Sequence, residues 1–122
     1  MKVYVGHSKD MDYVNHIYKP IRSDDFLKNY EIILPHELSD ISSNTRDFYK
    51  NIDLFFFECS SRGTGLGIEL GWAYDDKKKI YVLYKKGSKL SSSVRVVTDN
   101  IYEYENSVDM LKHIKDIILK NV

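Results

Sequence analysis

The chain has 122 residues, enough for one compact unit with a buried core and too few for two. Its 18 basic and 18 acidic residues cancel, which argues against a protein that tracks a nucleic acid polymer, and a single cysteine, Cys59, leaves no intrachain disulfide and no cysteine-based zinc site. With no long apolar stretch and no leader-like start, the expectation is one soluble cytoplasmic domain spanning residues 1–122, without membrane association.

Residues 2–5 open the chain as a β-type run, followed by the polar loop Gly6-His7-Ser8. Next comes helical spacing, with Met11, Val14, Ile17, Tyr18 and Ile21 distributed around Pro20. Residues 31–34 predict a second strand, with Pro35-His36-Glu37 after it, and a short helical stretch is expected near residues 45–51. Residues 53–58 form a third strand, because Leu54-Phe-Phe-Phe57 is a continuous apolar run rich in aromatics, better suited to a buried strand than to an amphipathic helix. It feeds a glycine-rich turn and a helix from about residue 64 to 74. Strands at 80–84 and 100–104 follow, with the charge cluster Asp75-Asp-Lys-Lys-Lys79 reading as a solvated loop. The closing helix has Ser107 as its expected cap, Asp109 in its first turn, and Leu111, Ile114 and Ile118 on one face. Strands alternating with helices imply an α/β class: a three-layer flavodoxin- or Rossmann-like domain with a five-stranded, mostly parallel sheet.

In such a sheet ligands bind beyond the carboxyl ends of the strands. The run from Ser60 to Ala73 lies there and joins a glycine turn, a helix N-terminus and an isolated carboxylate, Glu69. The helix start aims backbone N–H groups and the positive end of its dipole at the turn, which favours an anionic or polar ligand. Glu69 shares a face with Leu66, Leu70 and Ala73, and no basic residue stands three or four positions away to pair with it. Gly63, Gly67 and Gly71 recur along one side at about 1 kcal/mol each relative to alanine, which predicts a close approach of helix to sheet or of ligand to turn. His7 and His36 stand in the neighbouring loops, where they read equally as ordinary loop residues. Arg95 with the hydroxyls of Ser91–Ser93 makes a candidate anion site, since a guanidinium fork matches phosphate geometry. Cys59 reads as a small buried side chain. Neither the dinucleotide fingerprint nor the Walker pattern fits the glycine spacing.

The pattern Asp53-x4-Glu58 followed by Gly65-x-Gly67-x-Glu69-x-Gly71-x-Ala73 resembles the nucleoside 2-deoxyribosyltransferase superfamily, and within it the 2'-deoxynucleoside 5'-phosphate N-hydrolase branch. The resemblance implies a Rossmann-like domain that cleaves, or transfers at, the N-glycosidic bond of a deoxynucleoside or its 5'-monophosphate, with no metal and no organic cofactor. By position, Glu69 is its nucleophile and Tyr4 the strand tyrosine that assists it. The acid that protonates the leaving base falls on Thr45 in an ungapped match and on Asp47 after a shift of two residues. Its phosphate-binding serine, contributed across a homodimer, falls on Ser91, with Arg95 completing the pattern. Gly6, His7, His36, Gly63, Thr64 and Gly65 complete the candidate substrate and phosphate contacts from their place in the loops at the strand ends, where Gly6-His7-Ser8 departs from the family's glycine pattern. The branch carries serine where this chain has Gly63. Two other readings stay open: a module that senses nucleotides without turnover, and a TIR-like domain that cleaves NAD.

Overall fold

The structure is a computed structural model that describes residues 1–37 and 49–122. The expected helical stretch near residues 45–51 lies outside the described residues except for its end, and Thr45 and Asp47 lie outside them altogether.

Five strands form one all-parallel sheet in the order β2-β1-β3-β4-β5, with β1 at Lys2–His7, β2 at Glu31–Ile33, β3 at Leu54–Glu58, β4 at Lys79–Lys85 and β5 at Ile101–Tyr104. The class expected from the sequence is the one observed. Strand order reverses between β1 and β3, so a crevice at the carboxyl edge opens beside His7 and Glu58, which are register partners. The helices are α1 (Lys19–Ser23), α2 (Thr64–Asp75), α3 (Val94–Val97) and α4 (Ser107–Lys120).

The sheet is buried on both faces because β3 is apolar on both. Phe55 and Phe57 face Leu66, Leu70 and Ala73 of α2, together with Tyr4 and Tyr49. Leu54 and Phe56 face the opposite way, towards Ile17, Ile21 and the Met110, Ile114 and Ile118 stripe of α4. All three phenylalanines are fully buried, each contributing about 2 kcal/mol through removal of apolar area from water. The ends of β3 are pinned by its two carboxylates. Asp53 accepts from the Lys2 amide at 2.8 Å, and Glu58, itself buried, accepts from the Ser60 amide at 2.6 Å, from the Ser60 hydroxyl at 2.8 Å and from the Tyr104 hydroxyl. The first two elements of the recognised motif are therefore framework.

The helical spacing around Pro20 is borne out, as a π-helical turn, Val14–Tyr18, that leads into α1, while the expected cap of the closing helix is corrected. Pro20 has no N–H to offer the His16 carbonyl one helical turn back, and the Ser107 hydroxyl donates to that carbonyl at 2.9 Å. Ser107 is thereby not the cap of α4. Asn106 is, its side-chain oxygen accepting from the Asp109 amide at 2.9 Å, while the Asp109 carboxylate takes the Glu105 amide at 2.9 Å.

Candidate active site

The half-buried Glu69 projects from the second turn of α2 towards the carboxyl end of β1. Tyr4, buried on the same sheet face, donates its hydroxyl to Glu69 Oε1 at 3.0 Å, and the Tyr49 hydroxyl donates to that of Tyr4 at 3.0 Å. The other carboxylate oxygen lies over Gly6. A Cβ placed there would sit 3.1 Å from Glu69 Oε2 and 2.7 Å from the Phe57 ring, so only glycine leaves room for that oxygen at the sheet edge.

Burial drives the Glu69 carboxyl pKa above its ordinary range, and hydrogen bonds from Tyr49 and Tyr4 oppose that rise. Tyr4 and Tyr49 are both raised, first by burial, so they remain protonated donors. The result is a half-buried carboxylate hydrogen-bonded by two phenols, with Oε1 taken by Tyr4 and Oε2 lying beside Gly6 at the sheet edge. Such a group can attack an electrophilic carbon or withdraw from it.

One residue beyond Gly6, His7 joins a triangle of rings with Tyr13 and His36, the Tyr13 ring lying 4.4 Å from His7 and 5.0 Å from His36 and the two imidazoles 5.3 Å apart. His7 is buried and both its ring nitrogens are used within the protein. Nδ1 meets the Ser8 carbonyl at 2.9 Å and must carry the hydrogen, and Nε2 meets the Tyr18 hydroxyl at 2.7 Å. Tyr18 in turn accepts from the His36 amide at 3.0 Å. Burial first, then the neighbouring His36, lower the His7 pKa, in keeping with a neutral ring. His7 thus holds the rim together, and neither nitrogen is left over for a ligand. His36, whose ring is exposed, presents an aromatic edge to the crevice mouth.

The remaining expected residues gather at the start of α2. Gly63 is the N-cap and has no side chain with which to cap it, so the first-turn amides of Thr64 and Gly65 face outward for an anion. A Cβ at position 63 would lie 3.2 Å from the Ser8 hydroxyl, which donates to the Arg62 carbonyl at 2.9 Å and ties the β1 loop to this turn. Ser91 reaches the same place within one chain: it lines a cavity of about 280 Å³ with Arg62, Gly63, Leu66, Gly67 and Val94. Arg95 is exposed and outside that lining. The close helix-to-sheet approach expected of the glycines is not found at Gly67 or Gly71, where a Cβ would meet nothing within 4 Å. Cys59 is buried, its thiol pushed up to about 12 by burial and then by Glu58, which makes it no nucleophile.

Sequence reasoning missed Tyr49, Tyr13 and Tyr18, and also a polar cluster on the opposite sheet face. There Tyr104, bonded to Glu58, meets His16 Nε2 at 2.7 Å, beside a cavity of about 420 Å³ that Asp12, Asn15 and Lys85 also line. A carboxylate ending a strand of phenylalanines was the available signal.

No family model matches the chain, and no curated protein does so significantly. Among solved structures the fold is similar to that of the CMP N-glycosidase BcmB of Clostridium botulinum, with a TM-score of 0.63 over 94% of this chain and 99% of that one at 18% identity. The lysine decarboxylase LdcF of Francisella novicida aligns with a TM-score of 0.53 and 17% identity over 94% of this chain, which spans 17% of that protein's chain. At such identities the likeness is one of fold. Among the described residues no helix is long and apolar enough to cross a membrane.

Proposed function

We propose that this chain cleaves the N-glycosidic bond of a nucleoside or nucleoside 5'-monophosphate, with Glu69 as nucleophile. The observation that carries the reading is the Glu69 carboxylate itself, half-buried with no cation beside it among the described residues, gripped at Oε1 by Tyr4 and with Oε2 beside Gly6 at the carboxyl end of β1. The resemblance of its motif to the deoxyribosyltransferase superfamily and the fold shared with a CMP N-glycosidase support it.

Glu69 Oε2 attacks the anomeric carbon, and the C1'–N bond breaks with its electron pair going to the base nitrogen. An acid, for which we propose Asp47, supplies the proton that leaves with the base. Water then adds to C1' and gives its proton to the Asp47 carboxylate, which restores the acid; the ester C1'–O bond breaks, and the Glu69 carboxylate is regenerated with net retention, as in retaining glycosidases. Transfer differs only in that a second base takes the place of water. Tyr4 acts in both halves: its hydrogen bond fixes the anion for attack and receives it again as the ester opens. No cofactor takes part. The amides of Thr64 and Gly65 at the α2 N-terminus, with Ser91, suit a 5'-phosphate, and the stacked His7, Tyr13 and His36 rings suit a flat base at the crevice mouth.

The test is a panel of ribo- and deoxynucleosides, their 5'-monophosphates and NAD, incubated with the protein and followed by chromatography of free base. Release from at least one nucleoside or monophosphate is expected. Binding throughout without release would replace this reading with the sensor, and release from NAD alone with the TIR-like one.

The assembly we propose is a homodimer in which Arg95 serves the neighbouring crevice, while Ser91 serves the cavity of its own chain. Arg95 is exposed and does not line its own chain's cavity, and Ile68 of α2 and Val96 of α3 leave apolar side chains exposed. Mixing Arg95→Ala with Glu69→Gln subunits should then restore activity lost in each alone, because one site per mixed dimer is whole. No recovery on mixing would place both residues in one chain's site.

A further inference from the structure

Of the buried titratable groups outside the roles above, Tyr49 stands nearest the reacting carboxylate. It is fully buried, yet its phenol is not spent on packing alone. The hydroxyl donates to Tyr4 at 3.0 Å and hydrogen-bonds the Glu69 carboxyl as well, while the ring is wedged among Tyr4 at 4.9 Å, Phe55 at 5.3 Å and Trp72 at 5.8 Å. Those three rings come from β1, β3 and α2, so the Tyr49 ring is packed by three elements, while its hydroxyl is held by its hydrogen bonds.

We infer that Tyr49 is a positioning residue, the second hydroxyl of a two-phenol clamp that holds Glu69 as an oriented anion with Oε2 turned to the substrate. The inference rests on the reading of Glu69 as nucleophile and extends it to a residue that no motif marks.

A phenol has one hydrogen to give and two lone pairs to accept with. While Tyr49 donates to Tyr4, the Tyr4 hydroxyl is polarised and its own bond to Oε1 strengthens. When Tyr49 instead turns its hydrogen to Glu69, the anion gains a second donor directly. Either arrangement favours the charged carboxylate over the neutral acid, at a position where burial alone favours the acid. Attack on C1' converts the anion to a neutral ester, and the Tyr49 hydrogen is then free to return to Tyr4 without leaving a buried donor unpaired. The clamp therefore follows the charge on Glu69 through the cycle with no movement of the backbone.

Tyr49→Phe removes the hydroxyl and keeps the ring, so the aromatic packing survives. Two readings are taken on it: the titration midpoint of the Glu69 carboxyl by carbon-13 NMR, and the pH profile of kcat and kcat/KM for the best substrate of the panel. The expected result is an upward move of the carboxyl midpoint and of the acid limb by about one pH unit, with kcat down about tenfold and KM nearly unchanged. Phe55→Leu serves as the packing control; it loosens the same ring without touching the hydroxyl, and is expected to lower Tm while leaving the midpoint in place. A midpoint that stays put in Tyr49→Phe overturns the clamp, even if base is released normally. A midpoint that rises in a protein releasing no base from any substrate upholds the clamp and tells against the nucleophile.

Discussion

Glu69→Gln is expected to reduce base release by at least ~10³-fold while leaving the protein folded and, at neutral pH, at least as stable as the wild type. The amide cannot form a glycosyl ester, but its oxygen can still accept from Tyr4, so the hydroxyl at 3.0 Å keeps a partner. The stability half follows from linkage. Burial raises the Glu69 pKa in the folded state above its unfolded value of 4.5, so folding favours the protonated form. That contribution is fully present below the unfolded value and is lost as pH rises through the folded one. At pH 7 the ionised carboxylate is a cost that a neutral isostere does not carry. Thermal unfolding of both proteins at pH 7 and pH 4 checks this: the Gln variant should gain on the wild type at pH 7 and the difference should shrink at pH 4. A Gln variant that loses several degrees at pH 7 would show Glu69 to be structural, and one that releases base at the wild-type rate would remove it from the chemistry.

The second large effect is expected at Gly6. Alanine there places its methyl 2.7 and 2.9 Å from two atoms of the Phe57 ring and 3.1 Å from Glu69 Oε2. Phe57 is fully buried against Phe55 and Tyr4 and has nowhere to go, so overpacking should cost about 1–3 kcal/mol, visible as a Tm several degrees lower. The carboxylate is the softer neighbour and moves as well. Displacing it by a few tenths of an ångström or more from the attacking position should reduce kcat by ~10²-fold. The informative comparison is activity well below the variant's Tm, where the protein is folded. Activity preserved there would mean that Oε2 does not need the space over Gly6, and the choice of Oε2 as the attacking atom would fall.

The stability and activity arguments meet in one place. The buried carboxylate costs folding energy when ionised, and the two phenols that limit this cost are the ones we propose to orient it for attack. Sites of this kind are where local rules are broken and the surroundings compensate. Gly6 opposite Phe57, and Glu69 among apolar helix residues, are the two visible breaks.

How much of this could be read beforehand depended on the range of the interactions involved. The strands were legible because burial on both faces leaves an unbroken apolar run, as in Leu54–Phe57. Glu69 was legible because its helical neighbours offer it no cation. Tyr4 was not distinguishable by pattern from the other tyrosines of the chain and came from the resemblance. Tyr49 carried no signal at all, since its partners lie 45 positions away on β1 and across the core on α2. The caps show the same limit at short range. Asn106 and Ser107 are both good N-caps, and the choice was made by Pro20, whose missing N–H left the His16 carbonyl for Ser107, 91 positions further on. Of the two approaches that the α2 glycines allowed, helix to sheet is not found at Gly67 and Gly71, which line a cavity instead, and spacing alone could not choose because what approaches a smooth helix side is not in the same stretch of chain.

The central claim, that Glu69 becomes bonded to the sugar, is tested most directly by trapping that bond. A 2'-fluorinated nucleoside 5'-monophosphate slows both halves of the reaction, through its destabilised oxocarbenium-like transition states. Incubated with the protein and read by intact mass and peptide mapping, it should add one glycosyl unit to the peptide containing Glu69, with release of one equivalent of base. Base released steadily while that peptide stays unmodified, or an adduct carried by another residue, would contradict the account.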